Sequence, residues 1–476
     1  MSRREVAMQA SGSDTRRRAL GVCLVAAFMS GLDVSIVNVA LPSIREGLHA
    51  SDAGLQWTLS GYALTFGLLL VPAGRMGDAR SRRALFMWGV VAFTASSAAC
   101  GFAWSMPVLI TARLVQGMAA GMLNPQVSGL IQQMFLGHER GRAFGALGAT
   151  IGVSTAAGPL IGGALVTGFG AEQGWRWVFL VNVPIGIVLL PLAWKLLPGP
   201  APGLARSGRR ESMDPVGVLL LGVGVAGLLL PFIQQHQWKG EAKWLLLPAS
   251  LAVLAGFVLW ERRYRREPLV NLSLFAKRSY SVGSAIALFY FAGFTGIFFI
   301  FTLYLQSGEG YSPLLAGLSI TPFALGSAGS SVVGGRLVGR AGRKVVTVGL
   351  GTVIAGLLAT MAATLLVPGP GVGAATALPL LVAGIGSGLV ISPNQAITLS
   401  EVPPEGGGSA AGVLQTGQRL GSAIGIAAAG STFFGALPQG WPTAFRHGLL
   451  VVLAFVLVAL VAALYDLLRS RTAAPG

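Results

Sequence analysis

Asp33 stands in an apolar run, Leu20 to Leu41, whose side chains are almost all aliphatic, aromatic or small. A carboxylate in hydrocarbon costs several kcal/mol unless it is paired or protonated, so it marks a functional site by default. The chemistry it offers is uptake and release of a proton. Of the 17 acidic residues, Asp33 is the one that the pattern places clearly inside an apolar segment. Arg113 is a second charge within such a segment. Helical rise puts Asp33 about 14 Å and Arg113 about 9 Å from the same end of their segments, counted from Pro42 and Pro107. At these depths an ion pair or a shared polar pocket is open to them. The competing reading has Arg113 snorkelling outward.

The elements that must position these charges are long apolar helices. The chain has 476 residues, 53% hydrophobic and 11% charged, against about 25% charged for soluble domains. Apolar runs of about 20 residues recur along nearly its whole length, the mark of a helical membrane protein. They are too long, and alternate too little, for a membrane barrel. The expected fold is all-α with fourteen transmembrane helices, in two six-helix halves plus two inserted helices. The expected divisions are a tail 1–18, a first half 19–198, a linker 199–213, inserted helices 214–261, a basic loop 262–279, a second half 280–468 and a tail 469–476.

A net charge of +17 could point to nucleic acid, but its distribution reports topology instead. With the N-terminus in the cytoplasm, 27 Lys/Arg fall in cytoplasmic segments and 5 outside, while Arg113 and Arg419 fall within spans. That is a strong positive-inside bias. Both termini are then expected in the cytoplasm, with the basic loops near membrane lipid. Seven of the ten Trp, Trp175 among them, read as an outer interfacial belt. Cys23 and Cys100 read as buried free thiols.

The loop Gly74-Arg75-Met76-Gly77-Asp78-Ala79-Arg80-Ser81-Arg82-Arg83 has a weak second copy 261 residues later, Gly335 to Lys344. Gly74/Gly335, Arg75/Arg336 and Arg82/Arg343 are identical between the copies. Duplication of this kind is typical of secondary transporters, whose sites lie near the midplane between repeats. In the first copy Asp78 can cap a helix N-terminus and pair with Arg75, Arg82 or Arg83. The alternative is a plain basic loop.

Further motifs follow in order: Leu32-Asp33-Val-Ser-Ile-Val-Asn38-Val-Ala-Leu41-Pro42, Arg113-Leu-Val-Gln116-Gly117, Gly148 to Gly163, and Trp175 to Gly186. With the 74–83 loop, these resemble the major facilitator superfamily, in its fourteen-span drug:proton antiporter branch (EmrB/QacA type), over about residues 19–468. The resemblance implies alternating access, with Asp33 and Arg113 in proton coupling. It implies a conformational latch at Gly74, Asp78, Arg82 and Arg83, repeated at Gly335, Arg340 and Arg343. It also implies an exporter's fifth-span motif at Gly148, Gly152, Gly158, Pro159, Gly162 and Gly163. Ala79 and Ser81 depart from the family's loop, which usually has Arg and Gly there.

Polar and aromatic residues at kinks and mid-span are candidates to touch substrate: Asn38, Asn124, Gln126, Asn394, Gln395 and Gln415, with Tyr290 and Phe294 on an aromatic span. At the 261-residue offset Phe294 falls opposite Asp33. A charged first half facing an aromatic second half suits a small lipophilic substrate, cationic by this reading. No Lys precedes Ser or Thr, so no Walker A loop exists. No metal-ligand cluster, cofactor motif or enzyme constellation appears. The expectation is therefore a monomeric, proton-coupled multidrug or natural-product exporter of the cytoplasmic membrane. An importer or a lipid flippase of the same fold is the alternative.

Overall fold

The computed structural model describes residues 3–170, 172–199, 214–233, 238, 240–264 and 268–472. Most of the expected linker 199–213, part of the 262–279 loop and the last four residues of the tail lie outside them. Among the described residues all regular structure is helical. In hydrocarbon only a helix or a closed barrel satisfies its own backbone polar groups.

The first bundle contains α1 (Arg3–Leu48), α2 (Asp52–Ala79), α3 (Arg82–Gly101), α4 (Met106–Met134), α5 (Gly137–Phe169) and a sixth span broken at Val181 into α6 (Gly174–Leu180) and α7 (Asn182–Leu196). Two helices follow, α8 (Pro215–Ile233) and α9 (Leu246–Arg263), which pack on each other, with α8 against α2. The second bundle contains α10 (Arg278–Leu303), α11 (Pro313–Ala341), α12 (Arg343–Leu366), the short α13 (Val372–Ala375), α14 (Ala377–Thr398), α15 (Gly407–Ala436) and α16 (Trp441–Thr472). Among the described residues thirteen helical stretches are long and apolar enough to cross a membrane, and Pro215–Pro231 of α8 is a shorter apolar one.

Local chemistry explains where the helices begin. Ser51 caps α2 by accepting from the Gly54 amide at 3.2 Å, and Ser312 caps α11, with Pro313 in its first turn. Ser81, which departs from the family's glycine, has extended backbone and caps α3 through the Ala84 amide at 3.2 Å. The serine therefore starts a helix without straining the turn.

The bundles meet along α5 with α11 and α2 with α15. Small residues allow the approach. A Cβ at Gly74 would collide with the Gly408 carbonyl, and one at Gly141 with the Gly335 carbonyl. The end carrying Arg16, the 74–83 loop and Asp466 is called the basic end below.

Trp175 corrects the belt reading. It is fully buried, with its ring edge against Gly47, because the α6 segment turns inward. Trp88, Trp104 and Trp194 are largely exposed, as a lipid-facing belt requires. Both cysteines are buried and free.

Candidate functional site

Asp33 and Arg113 meet. Arg113 Nη1 donates to Asp33 Oδ2 at 2.6 Å, with both side chains almost wholly buried. The other carboxylate oxygen, Oδ1, accepts from Gln116 Nε2 at 2.8 Å and from Asn182 Nδ2 at 3.2 Å. Gln116 Oε1 accepts from Arg113 Nη1 at 2.8 Å, and its amide also donates to Ser97 Oγ at 2.7 Å. Arg113 Nε donates to the Thr58 carbonyl at 3.1 Å, and its guanidinium lies 4.2 Å over the Tyr62 ring. Charged groups in a dry site are tolerable only when paired and hydrogen-bonded, which this network achieves.

The network draws on α1, α2, α3, α4 and α7. Gln116 sits one turn beyond Arg113 on α4, so both reach the same carboxylate. Asn182 reaches it because the sixth span breaks at Val181 and restarts at that residue. The sequence reading quoted Gln116 and Asn182 within motifs but gave neither a place at Asp33. A buried amide one turn from a buried Arg is a signal that could have found Gln116. Nothing local points to Asn182, 149 positions from Asp33.

Asp33 thus has both oxygens engaged by protein donors.

At the basic end Asp78 joins the bundles. Its Oδ1 accepts from Arg82 Nη2 at 2.6 Å and the Gly408 amide at 2.9 Å; its Oδ2 accepts from the Ser409 amide at 2.7 Å. A carboxylate of the first bundle therefore caps the N-terminus of α15 in the second. Arg82 also donates to the Gly129 carbonyl at 3.1 Å and to the Pro404 carbonyl. Arg83 turns away to α7, where it lies 4.7 Å over the Trp194 ring and donates to that residue's carbonyl. More hydrogen bonds between the bundles gather here, from Gln132 to the Gly407 carbonyl and from Arg140 to the Leu399 carbonyl. Gln395 and Gln415 both donate to Ser128 Oγ, at 3.1 and 3.2 Å. The two bundles are closed upon each other at this end.

The second copy of the loop is wired differently. Gly339 stands where the first copy has Asp78, and it packs against the His138 ring. Arg343 takes its carboxylate from Asp466 at the end of α16, at 2.8 Å, and Arg278 shares that carboxylate at 2.7 Å. Arg340 is exposed and forms no hydrogen bond among the described residues. Asn394 lies beside Arg343. It accepts from Arg343 Nη1 at 2.6 Å and donates to the Gly283 carbonyl at 2.9 Å, so it is committed inside the second bundle.

The fifth-span residues divide between two neighbours. Gly148 and Gly152 face α11, where added side chains would press on Ser331 and the Ala324 carbonyl. Gly158 and Gly162 face Ser35 and Ile36 of α1 in their own bundle. Pro159 rests against Gly317, and Gly163 approaches Leu314.

Of the remaining candidates, Gln126 is buried and donates to the Ala73 carbonyl at 2.8 Å, against Gly77, so it cements α4 to α2. Asn38 is exposed and bonds only within α1. Asn124 is half-buried and approaches Ser30 Oγ at 3.4 Å. Tyr290 and Phe294 pack with ring centres 5.9 Å apart, and Phe294 also meets Phe291, Phe298 and Phe323. That cluster lies within the second bundle, away from Asp33. Two carboxylates other than Asp466 also carried no signal in the sequence: Asp214, which accepts from Trp260 Nε1 at 2.7 Å, and Glu261, which accepts from the Leu269 amide at 3.2 Å. Both are buried where α8 begins and α9 ends.

The family model described as Major Facilitator Superfamily matches residues 23–426. The chain is 39% identical to a probable actinorhodin transporter of Streptomyces coelicolor, over 89% of this chain and 73% of that protein. It is 35% identical to a cephamycin export protein of Amycolatopsis lactamdurans, over 88% and 85% of the two chains. Among solved structures, a major facilitator proton:xylose symporter superposes with a TM-score of 0.67 at 16% identity, covering 95% of each chain.

Proposed function

Within the Major Facilitator Superfamily, to which this chain belongs, we propose that it is a proton-coupled exporter of hydrophobic, drug-like or natural-product solutes. It is a membrane transporter and not an enzyme. We place it in the fourteen-span drug:proton antiporter branch, with α8 as the fourteenth span, the basic end in the cytoplasm and the protein working as a monomer. The cytoplasmic position of that end rests on the positive-inside bias, and the export direction is supported by the names of the relatives.

One observation carries the mechanism: the buried ion pair between Asp33 and Arg113 at 2.6 Å. Protonating Asp33 cancels the charge that holds Arg113 Nη1, Gln116 and Asn182, and so loosens contacts among α1, α4 and α7 at once. Arg113 keeps the Thr58 carbonyl and the Tyr62 ring, so it stays in place and is ready to pair again. The Asp78 cap on α15 is the contact that must break for the cytoplasmic side to open. The glycine faces of α5 and α11 form the surface on which the bundles rock. A proton entering from outside favours one arrangement and its release inside favours the other, while solute moves outward.

The test is Asp33→Asn in inverted vesicles. The variant is expected to lose proton-driven export down to the background of empty vesicles while still binding solute. Unchanged coupled export would overturn the assignment of Asp33.

A further inference from the structure

Arg419 is the other arginine inside a span, and its situation is unlike that of Arg113. It lies twelve residues into α15, about 18 Å along the helix from the basic end. The described residues offer it no ion pair and no hydrogen bond. Its guanidinium rests 4.1 Å over the ring of Phe66, on α2 of the opposite bundle. A phenyl face returns only part of the hydration that a cation loses in a membrane.

A second unfilled group lies beside it. Tyr62, one turn from Phe66 on α2, is buried with its ring edge toward Phe66 at 5.8 Å between centres, and its hydroxyl has no partner. The Tyr62 ring carries Arg113 on its face, so this aromatic pair supports one guanidinium at each ring. Asp33 cannot serve Arg419, because Arg113, Gln116 and Asn182 occupy both of its oxygens. Among the described residues, neither the Arg419 guanidinium nor the Tyr62 hydroxyl has a hydrogen-bond acceptor.

We infer that Arg419, with Tyr62 and Phe66, forms the recognition site for the acidic group of an aromatic anion, a carboxylate or an ionised phenol, which is the class of solute the protein carries. The inference rests on the exporter reading above and assigns that reading its substrate class. A negatively charged oxygen accepts from the guanidinium and the phenolic hydroxyl together, and an aromatic body takes the place on the Phe66 face that the guanidinium now covers. A cationic solute meets like charge here and is disfavoured. The charge of the solute supplies what the fold withholds from Arg419. The site spans the two bundles, so occupancy is felt by both.

The experiment measures equilibrium binding of naphthoate, naphthamide and naphthylmethylammonium to the purified full-length protein in detergent. Naphthoate is expected to bind about tenfold or more tighter than naphthamide, with the ammonium weakest. Arg419→Gln is expected to bring the naphthoate and naphthamide constants within about twofold of each other. Arg419→Lys keeps part of the preference, since the charge remains. Tyr62→Phe, which removes a hydroxyl without a protein partner, weakens naphthoate about threefold. Equal affinities for the three probes, a preference for the ammonium, or an undiminished naphthoate preference in Arg419→Gln overturns the inference. So does chloride competing as well as naphthoate at equal concentration, which would mark an inorganic-anion site. The ranking of probes on the unaltered protein decides the matter even where a variant does not fold. Binding needs no gradient, so a negative result here leaves the vesicle test of Asp33→Asn untouched, and the converse also holds.

Discussion

The two bundles carry related loops 261 positions apart and use them for different ends. In the first, Asp78 lies within the loop, holds Arg82 and reaches across to cap α15. In the second, Gly339 replaces the carboxylate and lets His138 pack close, while Arg343 turns inward to Asp466. The first loop bonds its carboxylate across to the other half, while the second pairs Arg343 within its own bundle and meets the first bundle only by packing. The same contrast holds at mid-depth, where the first bundle buries the Asp33 network and the second presents the Phe294 cluster. The two bundles share a loop pattern and differ in where its charges find partners. The lesson is that a shared loop sequence does not fix the partner of an arginine.

The contrast can be broken by substitution. The largest stability effect is expected from Arg113→Leu, which strands the Asp33 carboxylate and costs about 3–5 kcal/mol. Phe294→Leu in the aromatic cluster is expected to cost about 1 kcal/mol. Thermal unfolding in detergent compares them, and equal losses would erase the distinction between the bundles at mid-depth. Next comes the pair of arginine carboxylates. Asp78→Asn removes charge-assisted bonds from the Gly408 and Ser409 amides, so hydrogen exchange there is expected to quicken by about tenfold or more. Asp466→Asn is expected to leave those amides unchanged, and an equal acceleration would mean that both loops hold the bundles together. The smallest effect is expected from Arg340→Gln, within about 0.5 kcal/mol, because the side chain is exposed and unbonded. A larger loss in the same thermal assay would show that Arg340 makes a contact that this arrangement lacks.

The sequence by itself determined that the chain is a bundle of long helices, because apolar length is a local property and hydrocarbon permits little else. It also determined that Asp33 and Arg113 are special, because a charge in an apolar run is costly wherever the run folds. Ser81 could be seen to depart from a family pattern, while its use as a cap needed the backbone. Which groups complete each charge was decided by the tertiary structure alone. Asn182 reaches Asp33 only through a broken sixth span, Asp466 reaches Arg343 from 123 positions away, and Arg419 meets an aromatic ring in the other bundle. Burial cost is written in composition along the chain. The partner that offsets it is set by helix packing, which brings together residues that no spacing in the sequence connects.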